Sequence, residues 1–198
     1  MTSESKREIR ATFYNQSIVV YQAYDPAIGG PAIAKQKLVP PFLYDRMTWI
    51  KPSFLWMMYR SDWGTRAGMN QVLQIHILRS AWEAALSEAV STTHDPTVHP
   101  KAQDWKTAHK SARILVQWDP ERDIRLGKVP YRSIQIGISP AISKDFATKW
   151  ITKIVDVTPL AHRIEKLVKQ GAWDEAEALL PRVERYPVPN KIAQRLGM

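Results

Sequence analysis

Residues 112–139 read ARILVQWDPERDIRLGKVPYRSIQIGIS. Two strands are written in them. ARILVQWD, residues 112–119, is rich in β-branched and aromatic residues and stops at Pro120, which lacks a ladder donor. In YRSIQIGIS, residues 131–139, Ile134, Ile136 and Ile138 share one face, and Ser133, Gln135 and Gly137 share the other. The connection ERDIRLGKVP is charged. Asp119, Glu121 and Asp123 alternate there, interleaved with Arg122 and Arg125, as at a charged hairpin tip or, alternatively, in a carboxylate pair of the glycosidase kind. A hairpin implies antiparallel pairing.

The flanking chain supplies more strands and then helices. QVLQIHIL (71–78) and SIVVYQAY (17–24) read as strands. After the latter, Asp25 is placed to cap an irregular short helix with Pro26 at its first position. Ser53 is placed to cap a helix running to Tyr59 or Arg60. AWEAALSEAV (81–90), ISKDFATKWITKI (142–154), PLAHRIEKLVKQG (159–171) and WDEAEALLP (173–181) read as helices, and 91–105 as a loop. The predicted fold is α+β: a mixed, largely antiparallel sheet flanked by helices, with a helical C-terminal part. The regular βα alternation of a doubly wound sheet is missing.

At 198 residues the chain is long enough for one domain with its own core. A single domain is expected over 1–198, with a flexible N-terminus over 1–9. The basic tail at 181–198 is expected to pack through Tyr186 and Ile192. Cysteine is absent, which excludes disulfide frameworks, thiolate metal sites and cysteine nucleophiles. No apolar run approaches a membrane span and MTSESKREIR is not a signal peptide, so the expected location is cytoplasmic, with no membrane partner. The five histidines show no ligand spacing, so no metal is expected. Walker, GxGxxG and GxSxG motifs are absent. The net charge of +9 and the eight tryptophans point to an anionic partner such as nucleic acid or a nucleotide.

Two clusters carry candidate chemistry. In MTWIKPSFLWMMYRSDW (47–63), the aromatic residues are too many for one helix face, and Lys51, Ser53 and Arg60 punctuate them. A core helix explains this block, and so does a pocket rim where rings stack on a flat ligand while cations hold phosphate. In the hairpin, Gln117, Asp119, Arg122, Arg132, Ser133 and Gln135 project as polar residues from apolar ladders. They line one cleft, or they form the solvated face of a half-exposed sheet.

The blocks IRATFYNQSIVVYQAY, MTWIKPSFLWMMYRSDWG, LVQWDPERD and YRSIQIGIS resemble the bacterial and fungal family called domain of unknown function 4291, from about Arg10 to Pro187. VYQAYDPAIGGPAIAKQKLVPP is also similar to the opening unit of ADP-ribosyltransferase-like domains. That resemblance implies an NAD-using transferase acting on nucleic acid or protein. Gln135, Tyr21 and Asp119 are then the catalytic candidates. Arg10, Gln22, Tyr24, Trp49, Lys51, Ser53, Trp56 and Arg60 are the candidates for the dinucleotide. Gln117, Trp118, Arg122 and Arg132 are the candidates for substrate or nucleic acid. Where that fold carries a catalytic Glu, this chain carries Gln135, so a carboxylate would have to come from Asp119 or Glu121. The alternative is a non-catalytic module for nucleic acid or a nucleotide, which needs no base. The two differ in geometry: an enzyme needs Gln135, Tyr21 and Lys51 around one concavity.

Overall fold

The computed structural model describes residues 6–198. The predicted hairpin is its spine. β7 (Ile114–Arg122) and β8 (Lys128–Ile138) pair antiparallel, with Gln117 opposite Gln135 and Asp119 opposite Ser133. β7 runs on through Pro120 to Arg122, with the register shifting between them. Asp123 closes the tip by accepting from the backbone N–H groups of Arg125 at 2.9 Å and Gly127 at 2.8 Å. Along the other edge of β8 lie β1 (Lys6–Arg7), parallel, and β4 (Thr48–Ile50), antiparallel. β6 (Val90–Ser91) lies outside β7.

A second sheet runs in the order β3 (Ser17–Tyr24), β5 (Gln71–Leu78), β9 (Ile151–Asp156), all antiparallel. Lys51, just past β4, bridges Tyr21 of β3, so this one residue joins the two sheets. Ile134, Ile136 and Ile138 are fully buried, as the alternation predicts. They pack in one core with Ile18 and Val20 of β3 and Ile75 and Ile77 of β5. Val19, Tyr21 and Val72 point the other way into a second core. There α2 (Phe54–Ser61), α6 (Thr158–Gln170) and α7 (Trp173–Ala178) cover them. α1 (Pro26–Lys35), capped by Asp25, and α3 (Arg79–Glu88) flank the first core. The architecture is mixed α+β, and no helix of the described residues is long and apolar enough to cross a membrane.

Several expectations are corrected. The segment read as a helix over 142–154 is α5 (Pro140–Asp145), a π turn (Phe146–Trp150) and then β9. Phe146 and Ile154 are both buried, so their spacing marked a shared core rather than a helix face. Residues 91–105 are not all loop, because α4 (Ala102–Ser111) begins inside them. Val90 leaves the predicted helix to pair with Leu115 of β7. Within the N-terminus expected to be flexible, Lys6–Arg7 form β1 and Ile9 is buried, while residues 1–5 lie outside the described part. The C-terminal segment forms β10 (Glu184–Arg185), paired with β2 (Arg10–Ala11), and α8 (Asn190–Arg195), and it does pack through buried Tyr186 and Ile192.

Candidate functional site

A cleft of about 570 Å³ opens where β4 leaves the first sheet for the second. β3 supplies Gln22 and Tyr24, the strand β4 and its continuation supply Thr48, Trp49 and Lys51, α2 supplies Trp56, Met57 and Arg60, and β8 supplies Gln135. Phe42, Arg46, Met47 and Met69 add to the wall from loops. Local chemistry sets these positions. Ser53 caps α2 by accepting from the Trp56 N–H at 3.0 Å, and its own hydroxyl donates to Glu121 Oε1 at 2.6 Å. The cap therefore ties the helix start to the end of β7 and fixes where Trp56 and Arg60 project. Trp49 sits opposite Gly137 on β8, and a Cβ at Gly137 would lie 2.8 Å from its indole. Only glycine lets that ring lie close over the strand.

The electrostatic centre is Lys51. Its Nζ donates to Asp119 Oδ2 at 3.0 Å and lies 4.3 Å from the Trp56 ring centroid. The side chain is 1% exposed, and Asp119 is 14% exposed. Burial lowers the Lys51 pKa, and the adjacent Asp119 carboxylate opposes that fall. Asp119 Oδ1 accepts from Gln117 Nε2 at 2.8 Å, so both carboxylate oxygens are engaged. Gln22 Nε2 donates to Thr48 Oγ1 and to the Trp49 carbonyl, each at 2.9 Å, which orients that amide at the cleft wall. Burial pushes the Tyr24 phenol up, so it remains a neutral hydrogen-bonding group. Among the described residues Arg46 and Arg60 are exposed and form no ion pair, so the cleft mouth carries two uncompensated cations.

A family model, Domain of unknown function (DUF4291), matches residues 8–186. The chain belongs to that family. None of the curated proteins matches it, and the family match does not support the similarity to ADP-ribosyltransferase-like domains.

The fold of this family member gathers seven of the expected residues at one cleft: Gln22, Tyr24, Trp49, Lys51, Trp56, Arg60 and Gln135. Asp119 and Gln117 join through Lys51, and Ser53 stands behind as the cap. Tyr21 contributes its backbone instead, its N–H donating to the Lys51 carbonyl at 2.8 Å while its side chain packs on Phe54 in the second core. Arg10 lies on β2, paired with Glu8 and stacked over Tyr131, away from the cleft wall. Trp118 is buried in the first core and donates to the Leu196 carbonyl at 3.2 Å. Arg132 donates to the Trp118 carbonyl, and Arg122 stacks on Tyr59. Ser133 is 1% exposed, so the polar face of β8 is covered rather than solvated. Sequence reasoning missed Arg46, Phe42 and Met69. They sit on irregular segments with no period to follow, and the one available signal was the arginine adjoining the aromatic block at Met47.

Proposed function

We propose that the cleft binds a nucleotide in which a flat ring is joined to phosphate, with NAD as the occupant, and that the protein is an ADP-ribosyltransferase-like enzyme acting on nucleic acid or protein. One observation carries this reading: Trp49, Trp56, Arg46, Arg60, Gln22 and Gln135 converge on a single concavity. Its volume lies in the ~300–1,000 Å³ range of small-molecule sites. The tryptophans offer stacking faces and the amides offer donors and acceptors. The phosphate cations are Arg46 and Arg60, because Lys51 is already neutralised by Asp119. Transfer would break the bond between the ribose C1′ and nicotinamide, which leaves as the neutral amide, and form a bond from C1′ to an oxygen or nitrogen nucleophile of the target, which gives up its proton, with positive charge developing on the sugar between the two. Gln135 orients the ribose in this reading, while Asp119 stands behind the wall with its two oxygens held by Lys51 and Gln117 and fixes the position of Lys51 rather than touching the sugar.

The second reading, a non-catalytic nucleotide or nucleic-acid module, is favoured by two observations. The Tyr21 ring, which an enzyme needs beside Lys51 and Gln135, packs in the second core instead. No carboxylate belongs to the residues forming the cleft wall. Calorimetric titration with NAD, ATP and a short single-stranded RNA separates the two. Saturable NAD binding is expected, weakened about tenfold by Arg60→Ala, the scale of one charge-assisted hydrogen bond. Nicotinamide release on incubation with NAD then identifies the enzyme. NAD binding without release supports the module, and no NAD binding removes NAD from the proposal.

A further inference from the structure

Beyond the cleft, α2 turns Tyr59 outward. Arg60 faces the cleft, and its neighbour Tyr59 is 43% exposed on the surface beside it. The Arg122 guanidinium lies 3.5 Å from the Tyr59 ring centroid. Three positions further along the hairpin tip, Arg125 lies 4.4 Å from the centroid of Trp173 on α7. Three elements thus build two cation–ring stacks around one turn. Neither arginine has an ion-pair partner among the described residues. Arg122 spends one Nη on the Leu126 carbonyl at 3.1 Å. The acid between them, Asp123, is committed to its own turn through the Arg125 and Gly127 N–H groups.

A guanidinium held flat on a ring presents a π-like face to a base and N–H edges to phosphate. Repeated stacking platforms with backbone cations are what unpaired nucleotides need, while a duplex hides its base faces. We infer that the surface formed by Tyr59, Arg122, Arg125 and Trp173 binds single-stranded nucleic acid, whatever the neighbouring cleft takes. The +9 net charge of the chain draws a polyanion toward the protein despite the exposed Asp123, Asp174 and Glu175 beside the stacks, and the two stacks supply its place.

Fluorescence anisotropy with a labelled 12-nucleotide single-stranded RNA, the matching DNA and the DNA duplex, each over a salt series, tests this. Both single strands are the probes, and their ratio shows whether the sugar is read. Arg122→Gln/Arg125→Gln is expected to weaken single-strand binding tenfold or more, the scale of a lost base stack. The slope of log affinity against log salt is expected to fall by about 1.4, at ~0.7 per phosphate contact. Arg125→Gln alone, at an exposed turn position, is expected to show a smaller loss with unchanged circular dichroism and melting. Lys110→Gln/Lys149→Gln removes the same charge from exposed sites outside this surface and is expected to change binding less than twofold. Equal loss in that control, wild-type binding by the Arg122/Arg125 double variant, tighter binding of the duplex, or equal competition by polyglutamate would each overturn the assignment. Titrating the same double variant with NAD keeps the two sites apart, because its NAD affinity is expected to be unchanged.

Discussion

Lys51 meets two demands that conflict in a lone side chain. Its backbone stitches the sheets together at Tyr21, which forces it indoors, and its ammonium then needs a counter-charge. Asp119 supplies it across the polar face of the first sheet. Breaking a buried pair by removing one partner is far costlier than replacing both, since the remaining charge loses its compensation. Lys51→Met is therefore expected to lower unfolding free energy by about 3–5 kcal/mol in urea denaturation. Lys51→Met/Asp119→Leu should recover most of that. A single variant as stable as the wild type would mean that Asp119 is solvated well enough to stand alone. The sequence showed Lys51 and Asp119 as candidates in separate blocks, but 68 positions apart nothing local could pair them.

Elements in this fold are set by caps and by edges. Asp25 and Ser53 were legible as caps because a side-chain oxygen before a helical run satisfies an orphan N–H within two or three residues. β9 was not legible. ITKIVD continues a helix-like spacing from Phe146, but its β-branched residues pair with the free edge of β5, and that edge lies about 75 residues earlier. At the end of β9, Asp156 accepts from the Thr158 N–H at 2.9 Å and from Gln71 Nε2 at 2.9 Å. Partial burial raises its pKa, but the hydrogen bonds from Thr158 and Gln71 outweigh it, and the net shift is downward from 3.8. A carboxylate with a depressed folded pKa contributes stability that is complete above its unfolded value and lost as pH falls through the folded one. Asp156→Asn is thus expected to cost about 1 kcal/mol at neutral pH. The gap from wild type should narrow below pH ~3.8. A gap constant down to pH 2 would assign the loss to geometry rather than charge.

On the scale of the molecule, the first described strand and the C-terminal segment close on each other. Arg7 donates to the Leu196 and Gly197 carbonyls at 3.3 and 3.0 Å and to Asp95 at 2.6 Å, while Trp118 donates to the same Leu196 carbonyl. Leu196 is 2% exposed, so the basic C-terminal segment is part of the core. Leu196→Ala is expected to cost about 2–4 kcal/mol. That is a fall in melting temperature of roughly 4–16 °C. An unchanged melting temperature would return the segment to the solvated tail that its charge suggests.

The sequence by itself determined which face of β8 is apolar, where α1 and α2 begin, the α+β class and the family. These follow from periods of 2 and 3.6 and from caps, all of which act within a few residues. Only the tertiary structure decided what that face meets. It buried Trp118 in the core and Ser133 beneath the polar face, withdrew Lys51 from solvent, and drew Gln22, Arg46, Trp56 and Gln135 to one cleft. The physical reason is that alternation states that a side chain is buried, while its partner is fixed by strand register and sheet joining between residues far apart in the chain.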